Sequence, residues 1–228
     1  MNISYTKIDP AGNITVIVDS FVPREQQSRV ASELMKLDNS VEQVGFLEKP
    51  DDPCCAVRLQ MMGGEFCGNA SLSAAAVIFS RAGLGKGLYC EELFEVSGAP
   101  EPVKISGHMV NSSCFEGEVA MPLPESISEC SFLDGFEGYT FPLVRFPGIC
   151  HAIVPAGAIN PERAEAVIAS WCRQLSADAL GLMFFDRDKC TLTPLVYVAS
   201  TDTAVWEGSC ASGTAAVAAY LAELDGEY

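Results

Sequence analysis

Two stretches of the sequence decide the fold: GGEFCGNASLSAAAVIF at residues 63–79 and WEGSCASGTAAVAAYLA at residues 206–222. Each stretch places one cysteine, Cys67 or Cys210, among small residues and directly before an alanine-rich run. Because alanine favours a helix more than any other residue, each cysteine is predicted to stand at the start of a helix. We expect these helices to cover residues 68–81 and about 211–224.

The elements around the two cysteines are predicted to follow the same order. Each half is interpreted as two strands, a helix, two more strands, a glycine-containing loop, the cysteine and the alanine-rich helix. The run Met121-Pro122-Leu123-Pro124 separates the halves and predicts a linker. We therefore expect one domain at residues 1–121, carrying Cys67, and a second at residues 122–228, carrying Cys210. Two such domains facing each other would bring both helix starts to one cleft.

The composition excludes several classes of function. The chain has 228 residues, 49% of them hydrophobic, which suits a folded protein with a sizeable core. Its formal net charge of -16 argues against binding to nucleic acid or to an anionic membrane surface, since both partners attract basic proteins. Neither a signal peptide nor a membrane-spanning run is visible, so the cytoplasm is the expected compartment.

The ten cysteines do not form a metal-binding or disulfide pattern. The sequence contains no Cys-x-x-Cys pair, and it has only two histidines, His108 and His151. A zinc site is therefore not expected, and without a secretion signal a disulfide framework is not expected either. Most of these cysteines are interpreted as small buried residues, whereas Cys67 and Cys210 are set apart by their flanking residues.

A cysteine at a helix start has special chemistry. The first N–H groups of a helix lack partners within the helix and carry a partial positive charge. They are expected to push a cysteine towards thiolate, below its usual pKa of about 8.5, and to bind carboxylates. Two facing sites of this kind would hold one carboxylate between a thiolate and a thiol. That pair can remove a proton from one face of a carbon and return one to the other face, without a cofactor.

The residues resemble the diaminopimelate epimerase superfamily over most of the chain. GEFCGNASLSAAA is similar to its first cysteine motif, Cys-Gly-Asn-Gly-Ala-Arg, and SCASGTAAVAAY to its second, Ala-Cys-Gly-Thr-Gly-Ala. The opening Lys7 to Asn13 and the segment Val41 to Val44 also resemble family segments. The resemblance implies an α+β fold of two pseudo-equivalent domains, each a curled, mostly antiparallel sheet around a central helix. It further implies an amino-acid racemase or epimerase independent of pyridoxal phosphate.

The resemblance also implies roles for individual residues. Cys67 and Cys210 would be the acid and base, and Gly68, Asn69, Ala211 and Ser212 would offer backbone N–H groups to the substrate carboxylate. Asn13, Gln43 and Gln60 would line the pocket, and His151 falls near a family segment that carries a histidine. For His151, a purely structural role is equally open.

The sequence departs from diaminopimelate epimerase in two places. Thr201-Asp202 stands where that family has Glu-Arg, and Ile149 stands where an asparagine is expected. We therefore expect a different small amino acid or carboxylate as substrate, with Asp202 or Glu207 available to an ammonium group. The chain ends soon after its second alanine-rich helix, which suggests an open sheet edge covered in a homodimer.

Two other functions stay open at this stage. One is an isomerase that shifts a double bond, like the phenazine-biosynthesis and methylaconitate-type members, which does not need both cysteines. The other is a small-molecule binding protein that keeps the cleft without turnover. Separate replacement of the two cysteines, and exchange of an α-hydrogen in deuterated water, discriminate between the three.

Overall fold

The computed structural model describes residues 2–83, 87–133 and 139–226. Its contacts divide the chain into two compact units, with the division between Met121 and Pro122. Unit 1 is the part up to Met121, and unit 2 is the part from Pro122 onwards. Within these described residues, each unit contains one sheet and two helices.

Unit 1 contains a seven-stranded sheet whose strands lie side by side in chain order. Adjacent strands are antiparallel except β2–β3 and β4–β5, which are parallel because a helix, α1 or α2, crosses between them. The elements are β1 Tyr5–Ile8, β2 Thr15–Val18, α1 Arg24–Leu37, β3 Gln43–Glu48, β4 Val57–Met61, α2 Gly68–Arg81, β5 Cys90–Val96, β6 Val103–Asn111 and β7 Cys114–Val119.

Helix α2 is the core of unit 1. It contacts strands across the sheet from β2 to β7, so the sheet curls around it. Ala70, Ala74 and Ala75 are fully buried, because their short side chains let the helix approach the strands closely. Phe94 and Ile105 fill the space on the sheet side of the same cluster. The alanine run that predicted the helix therefore also explains why the sheet can wrap it.

Unit 2 contains a six-stranded sheet in the order β13-β12-β11-β10-β9-β8. Only β10–β11 is parallel, and helix α3 makes that crossover. The elements are β8 Ser126–Ser131, β9 Thr140–Phe146, β10 Ile149–Pro155, α3 Pro161–Gln174, β11 Ala179–Asp186, β12 Thr191–Val198, β13 Thr203–Trp206 and α4 Ala211–Asp225.

Successive side chains of β11 face the two helices of unit 2 in turn, α3 on one side of the sheet and α4 on the other. Leu180 and Leu182 belong to the cluster around Trp171 of α3. Successive side chains of a strand point to opposite faces, so Gly181 and Met183 lie on the other face. There the sulfur of Met183 would be 2.2 Å from a Cβ added to Gly213, on α4. The sheet therefore lies between α3 and α4, and α4 occupies the face that matters for the site.

The fold class implied by the resemblance is confirmed: the chain is α+β, with two curled sheets that are mainly antiparallel and include three parallel pairs. Helix α2 covers the predicted residues 68–81, and Asn160 caps α3 through its side chain, which accepts from the Arg163 N–H at 2.8 Å. Strand β8 was not predicted. The glycine-containing loop predicted before Cys210 is wrong over Thr203–Trp206, which form the short edge strand β13. This strand pairs with β12, and the rings of Trp206 and Phe184 pack with their centroids 5.5 Å apart.

Candidate active site

Cys67 is the N-cap residue of α2. Its backbone is extended (φ −136°, ψ 112°), and its sulfur accepts a hydrogen bond from the Ala70 N–H at 3.4 Å. Its carbonyl oxygen accepts from both the N–H and the hydroxyl of Ser71. The side chain is half-buried, at the end of the helix where backbone N–H groups lack partners within the helix. The predicted start of the helix directly after Cys67 is therefore correct.

A network of amide side chains surrounds Cys67. The thiol donates to Oε1 of Gln43 at 2.9 Å. Nε2 of Gln43 donates to the hydroxyl oxygen of Thr15 at 2.7 Å and also to Oδ1 of Asn13. That Asn13 oxygen accepts a second bond, from Nδ2 of Asn69 at 3.1 Å, while Nδ2 of Asn13 donates to Glu42 at 2.7 Å. Three of the predicted site residues, Asn13, Gln43 and Asn69, are thus gathered around the first cysteine.

Gln60 lies on β4, where its side-chain N–H donates to the carbonyl of its neighbour Met61 at 3.2 Å. The structure gives it no described hydrogen bond to the network around Cys67. Its Nε2 lies 3.9 Å from the Cβ position of Gly64, so it borders the loop that leads to Cys67. Its predicted role in binding substrate stays a prediction.

Gly68 is buried as the first residue of α2.

Glu65 is a buried acid that the sequence analysis did not single out. It lies two residues before Cys67 and is 6% exposed. Burial raises the pKa of its carboxyl group, although the N–H groups of Glu65 and Gly63 act in the opposite direction. Among the described residues, its Oε2 has no hydrogen-bond partner. In the sequence, Glu65 is marked only by its position between Gly64 and Phe66 in a short loop.

Cys210 is the N-cap residue of α4, with φ −136° and ψ 107°, so its backbone nearly matches that of Cys67. Unlike Cys67, it is buried. Burial raises the pKa of its thiol well above the usual range, and the charge of Glu207, to which the thiol is hydrogen-bonded, raises it further. Contacts with Ser212 and the Gly213 N–H act in the opposite direction but do not prevail. The expectation that the helix start pushes this cysteine towards thiolate is therefore wrong for the free protein.

His151 and Ser212 lie next to Cys210 in unit 2. Nε2 of His151, on β10, is 3.0 Å from the Ser212 hydroxyl, which is 3.6 Å from the Cys210 sulfur. His151 is fully buried, and this burial lowers its pKa to about 3, so the ring is neutral at pH 7. Its Nδ1 has no hydrogen-bond partner among the described residues. The ring occupies the space beside Gly181, where an added Cβ would lie 2.4 Å from Nδ1.

The two acidic residues before Cys210 differ in their surroundings. Asp202 is exposed and accepts a hydrogen bond of 2.8 Å from the Tyr197 hydroxyl. Glu207 is half-buried and contacts the Cys210 thiol instead. Ala211 begins α4, so its N–H and that of Ser212 lie in the first turn of this helix. Of the two acids, Glu207 is therefore the one that influences the cysteine.

No metal-binding cluster is formed within the described part of the chain: His, Cys, Asp and Glu side chains do not group in threes there. The helices in these residues also include none that is both long and apolar enough to cross a membrane. What each unit does present is a cysteine at a helix N-terminus, next to small residues and to a side-chain hydrogen-bond acceptor. A thiol in such a place can exchange a proton with a carbon acid whose carboxylate is bound by N–H groups.

Solved structures of other proteins share this α+β fold. A solved structure of a probable proline racemase from Agrobacterium radiobacter K84 aligns with a TM-score of 0.71 and 14% identity, covering 100% of this chain and 78% of that chain. The particular family follows from the sequence. The model described as "Histidine racemase CntK N-terminal domain" matches residues 2–227, so the chain belongs to this family.

Curated relatives agree with the family. A histidine racemase of Fusobacterium nucleatum subsp. nucleatum is 35% identical over 227 residues, covering 96% of this chain and 81% of the relative. A histidine racemase of Staphylococcus aureus is 28% identical, covering 96% of this chain and 79% of the relative. The chain is therefore an isomerase that acts as an amino-acid racemase or epimerase.

Proposed function

We propose that this chain racemises histidine, with Cys67 and Cys210 as its acid and base and without pyridoxal phosphate. The observation that carries the proposal is the matched pair of N-cap cysteines, whose backbone angles agree within 5° in ψ (112° and 107°). Each thiol also donates a hydrogen bond to a side-chain acceptor, Gln43 in unit 1 and Glu207 in unit 2. A reaction that runs equally in both directions requires two groups of comparable proton affinity.

The proposed reaction is a proton transfer on each face of the α-carbon. One cysteine, as thiolate, takes the α-proton, and the electron pair of the broken C–H bond moves into the carboxylate to give an ene-diolate. The other cysteine, as thiol, then gives its proton to the opposite face. The product is the mirror image, and the two sulfurs have exchanged protonation states. No electron acceptor is needed, because the atoms and charges balance within the two thiols and the substrate.

The first turns of α2 and α4 would stabilise the developing negative charge. The N–H groups of Gly68 and Asn69 in one unit, and of Ala211 and Ser212 in the other, stand where helix N–H groups lack intrahelical partners. Such preorganised donors are most effective at the place where charge develops in the transition state. We propose that they bind the substrate carboxylate.

The burial of Cys210 sets the starting protonation state. Because burial and Glu207 raise the pKa of this thiol, Cys210 keeps its proton in the free enzyme. It would therefore act first as the acid, and Cys67 would act as the base towards the enantiomer bound in that state. The other enantiomer requires Cys210 as thiolate and Cys67 as thiol. One turnover of the first enantiomer leaves the two sulfurs in these protonation states.

Histidine is proposed as the substrate because the family model and both curated relatives carry that activity in their descriptions. The test is to incubate the purified protein separately with L-histidine, with D-histidine, and with the L-forms of proline, lysine, glutamate and diaminopimelate, and to follow enantiomers or diastereomers by chiral chromatography. Conversion of histidine in both directions to an equal mixture supports the proposal. Conversion of another amino acid with histidine untouched would keep the enzyme class and reject the substrate, and no conversion of any would reject both.

A further inference from the structure

We propose that Glu42 is a positioning residue for Cys67: through Asn13 it fixes the direction in which Gln43 meets the thiol. The inference deepens the proposed function by naming a group that controls one of its two cysteines. It stands on a continuous chain of hydrogen bonds from Glu42 to Asn13, Gln43 and Cys67. In this chain Glu42 is connected to the sulfur through the amides of Asn13 and Gln43.

The direction of an amide chain is fixed by the member that cannot reverse. A side-chain amide has a donor end and an acceptor end, whereas an ionised carboxylate only accepts. Nδ2 of Asn13 must therefore face Glu42, at 2.7 Å, and Oδ1 must face the other way. That oxygen accepts from Asn69 and from Gln43, so the acceptor end of Gln43 is left to face Cys67.

Every other member of the network can reverse. The Thr15 hydroxyl accepts from Gln43 and donates to the Asn13 carbonyl at 2.9 Å, but it can rotate and donate to Gln43 instead. Asn13, Gln43 and Asn69 can each turn their amide by half a rotation. The reversed network would present the N–H of Gln43 to the sulfur. The Glu42 carboxylate, which only accepts hydrogen bonds, excludes this arrangement.

Compared with the reversed network, the observed network favours the thiol form of Cys67. A carbonyl oxygen accepts from an S–H but repels a thiolate, whereas an N–H donor favours the thiolate. The network as observed therefore opposes loss of the proton from Cys67, just as Glu207 does at Cys210.

The other carboxyl groups near the network do not take this role. Asp9 lies in the turn before Asn13, where its Oδ1 accepts from the Gly12 N–H at 2.6 Å. Glu65 lies in the loop before Cys67, but burial raises its pKa and favours its neutral form. Glu42 is the carboxylate that contacts Asn13, and Asn13 is fully buried, so solvent does not compete for this amide.

The test is the pH profile of iodoacetamide alkylation at Cys67, measured by mass spectrometry of its peptide in the full chain. This readout requires no turnover, so it is independent of whether histidine is the substrate. In Glu42→Gln the network can reverse, and the midpoint of the profile is expected to fall by about one pH unit, which makes alkylation roughly tenfold faster below the midpoint. Glu42→Asp, which keeps the charge, is expected to restore the wild-type profile.

Glu48→Gln is the matched control. Glu48 is a half-buried carboxylate at the far end of β3 that pairs with Arg24 and accepts from Gln27 at 2.7 Å. Loss of the Glu48 charge lowers the stability of the protein but breaks no hydrogen bond of the network around Cys67. The midpoint of the alkylation profile is therefore expected to stay unchanged. If Glu42→Gln does not fold, Asn13→Ala breaks the same chain and is expected to shift the midpoint in the same direction. An unchanged or raised midpoint in the folded variant would overturn the proposal.

Discussion

His151 and Ser212 are joined by a hydrogen bond of 3.0 Å between Nε2 and Oγ, although 61 residues separate them in the chain. The bond connects strand β10 to the first turn of α4, two residues after Cys210. It is possible because Gly181, on the neighbouring strand β11, pairs with His151 and leaves room for the ring. The sheet of unit 2 therefore determines the surroundings of its cysteine, and three further predictions follow from this arrangement.

Replacement of Gly181 tests the fit of the imidazole ring. In Gly181→Ala the new Cβ would lie 2.4 Å from Nδ1 of His151 and 2.6 Å from the Met183 methyl group, so a buried ring must move. Such overpacking typically costs about 1–3 kcal/mol of the free energy of unfolding, and it displaces Ser212 from Cys210. Urea unfolding and histidine turnover measure the two effects.

The double variant His151→Ala/Gly181→Ala provides the control for this steric argument. Once the imidazole ring is removed, the methyl group added at position 181 has no ring to clash with. The loss of stability in the double variant is therefore expected to be smaller than the sum of the losses in His151→Ala and Gly181→Ala. Strict additivity would show that the ring is not what opposes a side chain at position 181.

The pH dependence of stability tests whether His151 is buried as the neutral form. Its folded pKa is about 3, below the ordinary value of 6.5, so the unfolded chain binds more protons between these values. Stability from this group is complete above pH 6.5 and is lost as the pH falls towards 3, with a slope of up to about 1.4 kcal/mol per pH unit. The measurement is urea unfolding from pH 4 to pH 8.

His151→Gln isolates this contribution from the carboxyl groups that titrate in the same range. Glu65 acts in the opposite direction, because burial raises its pKa and its stabilising effect is lost as the pH rises. The difference between the wild type and His151→Gln removes such shared terms. A difference that does not vary with pH would contradict a buried neutral histidine.

Glu207 is predicted to hold the proton on Cys210. Its charge and hydrogen bond raise the pKa of that thiol in addition to burial, so Glu207→Gln lowers the pKa. Modification of Cys210 by a small thiol reagent at pH 8 is then expected to be about three- to tenfold faster, as measured on its peptide by mass spectrometry. Asp202→Asn is the control, because Asp202 is exposed and bonded to Tyr197. Equal rates in the wild type and Glu207→Gln would reject this role.

The fold was predictable where sequence signals are local. The alanine runs after Cys67 and Cys210 and the strand patterns gave the correct element order for most of the chain. Strand β13 was not predictable, because its four residues become a strand only by pairing with β12 and by the packing of Trp206 on Phe184. Edge strands of this length depend on tertiary contacts more than on their own sequence.

The sequence supplied candidate residues for the site but not the hydrogen bonds between them. The resemblance supplied Asn13, Gln43, Asn69, His151 and Ser212 as candidates, and the structure places the first three around Cys67 and the last two beside Cys210. The roles of Glu42 and Gly181 depend on pairings between distant segments, which no spacing in the sequence reveals. The state of Cys210 was expected wrongly, because the effect of a helix start was visible in the sequence and the burial was not.

The central claim is that two monoprotic thiols serve the two faces of one α-carbon. The most direct measurement is the position of solvent deuterium during the first few per cent of histidine racemisation in deuterated water. If each thiol serves one face, α-deuterium appears in the product enantiomer, the unreacted substrate retains protium, and racemisation is lost in both Cys67→Ser and Cys210→Ser. Deuterium entering substrate and product at the same rate, or full activity in either variant, would contradict it.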